Sequence, residues 1–233
     1  MARIVKEEAY AVKRNEILDV AQRLVYTKGY EQMTIQDMLD ELQISKGAFY
    51  HYFDSKQALL EALIERMLED VEQLLIPIVR DSHMPAIEKL EHFFVTLARW
   101  KTARKNFLLA LLRVWYTDDN AIVRQKVRAS AVKQNAPLLT EIIRQGIQEG
   151  VLTTSYPDQS GEIVVSIVLD LGDTVAQLLL THEPKYDALQ LIESTVAAYT
   201  DALERVLGAR TGSLHLADAE TLKEWVVATK DNA

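Results

Sequence analysis

The 233-residue sequence contains no cysteine, so neither a disulfide framework nor a thiolate metal site is open to it. That absence fits a reducing compartment. Glycine and proline are scarce, at eight and five residues. Collagen-like and low-complexity classes are thereby excluded, and a helical protein is favoured. Long uninterrupted apolar runs are missing too. The most apolar stretch, Ile163 to Leu180, is broken by Asp170, Gly172, Asp173 and Gln177, so no membrane span is expected. The first residues, MARIVKEEAYAVKRNE, lack the apolar core of a secretory signal. The chain is therefore read as soluble and cytoplasmic. Nucleophile elbows, HExxH pairs and glycine-rich phosphate loops are absent. The histidines are isolated. Glu88, Glu91 and His92 crowd one helix face without the Glu-x-x-His spacing of carboxylate-bridged metal bundles. No enzyme, metal or cofactor is expected. An excess of positive charge is also lacking. The net charge is −8, whereas a nucleic-acid binder usually shows a basic footprint. Residues 1–56 hold eight basic and nine acidic side chains, so most of the negative charge lies further along.

What is present is helical patterning. Over residues 12–28, Ile17, Leu18, Ala21, Leu24 and Val25 fall at helical spacing, and Gly29 reads as a C-terminal stop. Thr34 is a good N-cap for IQDMLDEL, with Asp37 completing an approximate capping box. A turn at Gln43-Ile44 leads to Ser45, the next N-cap, opening KGAFYHYF. Asp54 or Ser55 caps a long helix that should stop near Pro77. Three helices with their own start signals, the last two joined by a short turn, make a helix-turn-helix arrangement. Further helices are expected at 86–101, 104–116, 121–149 (with a kink at Pro137), 162–182, 185–208 and 218–229. The segment 153–161 reads as a loop. Nothing reads as a strand, so the fold class is all-α. The expected division is a DNA-binding head with an N-terminal arm at 1–56, a helical body at 57–208 and a C-terminal extension at 209–233.

The stretch TIQDMLDELQISKGAFYHYFDSKQALL, from Thr34 to Leu60, strongly resembles the N-terminal signature of the TetR family of repressors. The likeness extends back through ILDVAQRLVYTKGYEQMT. It implies a transcriptional regulator, most commonly a repressor, that binds double-stranded DNA. In the family, the residues matching Thr34, Tyr50, His51 and Lys56 grip the phosphate backbone. Such contacts position a protein without reading sequence. Helix starts at Thr34, Ser45 and Ser55 suit phosphate, and Gly47 lets backbone approach DNA closely. Base reading falls to the exposed side of the third helix, where Ser45, Lys46, Ala48 and Tyr50 are candidates with Gln36 from the second. Phe49, Tyr52 and Phe53 are expected to pin the short helix to the core. Arg3, Lys6, Lys13 and Arg14 are candidates for backbone or minor-groove contacts from the arm.

Residues 162–180 are apolar on nearly all sides, and such a helix must be buried all round. The last long helix adds a small-residue face, Ala197, Ala198 and Ala202. In the family the corresponding helices form a four-helix bundle with a second subunit, so a homodimer on a palindromic operator is implied. The resemblance also implies a cavity for a small-molecule effector. Candidate lining residues are His92, Phe94, Trp100, Phe107, Arg113, Trp115 and Tyr116. Asp170 and Asp173, two acids on an apolar helix, either face a cationic ligand or pair with a base such as Arg113. A helical protein-interaction module without sequence-specific DNA binding is the alternative reading.

Overall fold

The structure, a computed structural model, describes residues 2–181 and 188–231, with side chains described for 7–112, 114–180 and 188–228. Ten α-helices follow one another: α1 (Ala2–Lys28), α2 (Ile35–Leu42), α3 (Lys46–Tyr50), α4 (Lys56–Arg80), α5 (Ala86–Ala103), α6 (Lys105–Trp115), α7 (Ala121–Gln148), α8 (Pro157–Thr181), α9 (Ala188–Leu207) and α10 (Ala219–Asp231). A single 3-10 turn, Asp118–Asn120, precedes α7. No strand occurs among the described residues, and the fold is all-α.

Three boundaries differ from the sequence expectation. The N-terminal arm is helical, because α1 begins at Ala2. Its first ten residues carry no apolar periodicity that could have announced this. α4 runs through Pro77. The proline removes the N–H that would reach the carbonyl of Gln73, and both residues are exposed, so water can satisfy that carbonyl. α7 continues through Pro137, as the sequence led one to expect. α8 starts at Pro157, within the expected loop, where a proline suits the first helical turn.

The chain divides into two compact units. The first comprises residues up to Met67 together with Asn106–Val127, so α6 belongs with the N-terminal helices. Its core is the predicted stripe of α1 (Ile17, Leu18, Ala21, Leu24, Val25) with Met33, Met38, Phe49, Phe53, Leu59, Leu60 and Leu63, all buried. Each large side chain so buried contributes roughly 1.5–3 kcal/mol. α1 ends as the sequence indicated. Gly29 takes φ +81° and its N–H donates to the Val25 carbonyl at 3.0 Å. The Arg66 guanidinium ties α4 to α1 by donating to Asp19 at 2.7 Å and Gln22 at 2.9 Å.

The second unit comprises Leu68–Lys105 and Arg128–Ala233. α7 and α8 approach closely at Gly161. A Cβ there would lie 2.4 Å from the Ala136 carbonyl and 2.2 Å from Thr140 Oγ1, so only glycine permits this crossing. α10 packs against α5, α8 and α9, which places the C-terminal extension on its own body. Buried Glu204 accepts the backbone N–H groups of Gly212 (2.9 Å) and Leu214 (3.0 Å). Trp225 Nε1 donates to Thr102 at 3.0 Å, and Lys105 pairs with Glu224 at 2.6 Å.

Candidate nucleic-acid interface

α2 is set by its cap. Thr34 has extended backbone, its hydroxyl accepts the Asp37 N–H at 3.1 Å, and the Asp37 carboxylate accepts the Thr34 N–H at 2.9 Å. This is the full capping box, which satisfies two helix-start donors reciprocally. Lys28 donates to the same carboxylate at 2.7 Å. The Lys28 hydrogen bond, then those from Thr34, lower the Asp37 pKa to about 2. α2 stops because Gln43 turns left-handed (φ 51°), its N–H reaching back to the Leu39 carbonyl. Ser45 then caps α3, its hydroxyl accepting the Ala48 N–H at 3.2 Å.

α3 has five residues, too few to be stable alone. Tertiary anchoring holds it. Phe49 is fully buried and Phe53 nearly so, while Tyr52 is half-buried, its ring 4.7 Å from that of Tyr10. Arg14 stacks over Phe53 at 5.3 Å. The opposite side faces water: Ser45, Lys46, Gly47, Tyr50 and His51 are exposed and Ala48 half-buried. On α2, Gln36 is exposed and donates to Asp40 at 2.7 Å. A Cβ at Gly47 would meet only Ser45 Oγ, at 3.9 Å. Nothing inside this unit therefore needs a glycine there. No acidic residue occurs from Leu42 to Phe53.

Lys56, expected to grip the phosphate backbone, makes contacts within the head. Its ammonium sits 4.4 Å over the Tyr30 ring and donates to the Glu31 carbonyl at 3.1 Å. Burial lowers its pKa, against the attraction of Glu31. Tyr10 was missed by sequence reading. Half-exposed on the helical arm, it packs edge-on to His51 at 5.6 Å. An aromatic seven residues before the first periodic apolar residue was the available signal. Arg3 and Lys6 have side chains outside the described set.

The effector candidates do not gather in one unit. Phe107, Trp115 and Tyr116 lie in the first; His92, Trp100, Asp170 and Asp173 in the second. Phe94 and Phe107 are buried core residues. Trp115 and Tyr116 are half-buried, with Arg124 donating to the Trp115 carbonyl and lying 5.7 Å over the Tyr116 ring. His92 corrects the expectation of a lining residue: it stands exposed beside Glu88, at 3.9 Å, on the face of α5 opposite Leu90 and Phe94. Arg113 has its side chain outside the described residues. Asp170 and Asp173 both have protein partners. Asp170 accepts the Tyr199 hydroxyl, which raises the tyrosine pKa, and Asp173 accepts Arg128 at 3.4 Å.

α8 is not buried all round in the single chain. Within Pro157–Leu180 an 18-residue window has mean hydropathy 1.9, long and apolar enough to cross a membrane by length and composition, and 28% of that window is buried. Ile163, Leu180, Leu191 and the small residues Ala197, Ala198 and Ala202 are all exposed on α8 and α9.

The family model for bacterial regulatory proteins of the tetR family matches residues 17–63. A second, for the Tetracyclin repressor-like C-terminal domain, matches residues 113–174. The HTH-type transcriptional repressor KstR2 of Mycobacterium tuberculosis is 25% identical over 162 residues, covering 68% of this chain and 76% of its own. The HTH-type transcriptional regulator TtgR of Pseudomonas putida is 27% identical over 175 residues, covering 73% and 82%. The crystal structure of the transcriptional regulator FadR from Bacillus subtilis, in complex with stearoyl-CoA, superposes with TM-score 0.58 at 19% identity, over 85% of this chain and 98% of that one.

Proposed function

We propose that this chain, which belongs to the TetR family of bacterial regulatory proteins, is a cytoplasmic repressor that holds a palindromic operator as a homodimer and releases it when a small molecule occupies its helical body. That it is a DNA-binding transcriptional regulator, and not an enzyme, follows from the two matched family models and the relatives. The observation that carries the head reading is the polarity of α3. One side is anchored by fully buried Phe49, and the other offers Ser45, Lys46, Gly47, Tyr50 and His51 to solvent on a capped start. We read Thr34, Tyr50, His51 and the helix starts as backbone grips. Gln36, Ser45, Lys46, Ala48 and Tyr50 are our base readers.

The homodimer is supported by the uncovered apolar faces of α8 and α9. A soluble monomer rarely leaves so large an apolar patch open. Small side chains at Ala197, Ala198 and Ala202 let a second pair of helices approach closely. Two heads paired by a two-fold axis would read half-sites about 34–36 Å apart or a multiple of that. Effector release is a population shift, and it requires different affinities for the free and DNA-bound shapes. α4 has residues in both units, which makes it our lever. The test is selection of bound duplexes from a random pool, wild type beside Lys46→Ala/Tyr50→Ala. An enriched palindrome, lost in the variant, supports the reading. Enrichment of no sequence by the wild type overturns it.

A further inference from the structure

The stripe that buries α1 in the first unit runs on past the core. Ile17, Ala21 and Leu24 are buried. Arg14 and Tyr10 stand on the same face at helical spacing, about one and two turns earlier. Both lie over the residues that end and follow α3. Arg14 stacks over the Phe53 ring at 5.3 Å. The Tyr10 ring lies 4.7 Å from that of Tyr52 and meets the His51 ring edge-on at 5.6 Å. Tyr52 meets the same imidazole edge-on at 5.1 Å. His51 is the C-cap of α3 and is exposed, so two rings flank an imidazole that solvent still reaches. Tyr10 is itself 38% exposed, which makes it a poor core residue and leaves its ring contacts as what it does.

An unrestrained surface imidazole samples several orientations, and fixing one of them on binding costs affinity. Aromatic rings in edge-to-face pairs have a preferred geometry and so restrict one another. We propose that Tyr10 is a positioning residue for operator binding: from the helical arm it holds the His51 imidazole in the orientation that meets a backbone phosphate, before DNA arrives. The arm then has a use for its helix. Residues 2–11 show no apolar period, yet a helix continued back from Ile17 carries position 10 over the end of α3. This rests on the regulator reading and adds to it a residue outside the helix-turn-helix.

The test uses the full chain and the operator enriched by duplex selection. Tyr10→Ala should weaken operator binding about tenfold across the two half-sites of a dimer, with the helical signal unchanged. Tyr10→Phe, which keeps the ring, should restore wild-type affinity. In a His51→Ala background, Tyr10→Ala should change affinity by less than about twofold, because its effect runs through the imidazole. In the DNA-free protein the His51 ring-proton resonances, assigned by their absence from His51→Ala, should move in Tyr10→Ala. A loss in Tyr10→Phe equal to that in Tyr10→Ala would make the hydroxyl a direct DNA contact and overturn the inference. An equal loss with and without His51, or unmoved His51 resonances, would overturn it too. Failure of wild type to enrich any duplex removes the regulator reading and the operator role with it, whereas full operator affinity in Tyr10→Ala removes this inference alone.

Discussion

Phe49 and Tyr50 are adjacent on one five-residue helix, and the structure assigns them opposite tasks. Phe49 is fully buried; Tyr50 is 40% exposed. Truncating Phe49 to alanine removes a large side chain from the core of the first unit and leaves a cavity, which costs roughly 3–5 kcal/mol. That is a large share of the 5–15 kcal/mol typical of a whole domain. Because α3 is too short to persist unanchored, operator binding should be lost with the packing. Tyr50→Ala removes no core contact beyond an edge-on ring pair with Phe49 at 5.6 Å, so stability should stay within about 0.5 kcal/mol of wild type. If its hydroxyl grips a phosphate at roughly 1.4 kcal/mol per half-site, two copies in a dimer weaken operator binding about a hundredfold. Urea unfolding supplies the first quantity, and fluorescence anisotropy on the selected operator the second. Equal destabilisation by the two substitutions would refute this division of labour. So would full operator affinity in a folded Phe49→Ala protein.

Three further outcomes are expected. Asp37 titrates near 2 in the folded head against an ordinary 3.8. Its contribution to stability is present above the ordinary value and is lost as pH falls through about 2. The helical signal should therefore show an acid transition in that window which Asp37→Asn flattens. Ala198 is exposed on α9 in the single chain, so Ala198→Arg should leave the protomer folded. Light scattering should then show a monomer, with palindrome affinity falling to that of one half-site; an unchanged dimer would locate the interface elsewhere. Lys46→Ala should weaken binding by roughly 1–3 kcal/mol per half-site and relax the preference at one operator position, and an unchanged sequence preference would place Lys46 away from the base edges.

The helices were legible wherever one face is buried. Ile17, Leu18, Ala21, Leu24 and Val25 announce α1 because all five must avoid water. The caps were legible because Thr34 and Ser45 do local chemistry with residues three positions on. Residues 2–11 left no such trace, since a helix exposed on all sides needs no apolar period. Pro77 misled because proline costs a helix only when the freed carbonyl lacks water, and exposure is a tertiary property. The family was legible through the motif from Thr34 to Leu60, not through charge.

The acidity of the chain, the strongest argument in the sequence against a DNA-binding role, weakens once the charges are placed. In the head, Glu16 pairs with Lys13, Asp19 with Arg66, Asp37 with Lys28 and Glu41 with Arg23. Each pair is neutral beyond a screening length of about 8–10 Å. Between Leu42 and Phe53 there is no acid to pair, while Lys46 and His51 stand exposed. Two capped helix starts, at Thr34 and Ser45, add partial positive charge from backbone N–H groups. A phosphate approaching α3 thus meets Lys46, His51 and two helix starts, with exposed Asp40, Glu41 and Asp54 as the acids nearest in sequence. Net charge governs solubility and long-range encounter; contact energy is set within a screening length. A head built this way should bind its operator at moderate salt yet associate slowly. The deficit relative to a basic homologue should appear in the association rate, with dissociation little changed.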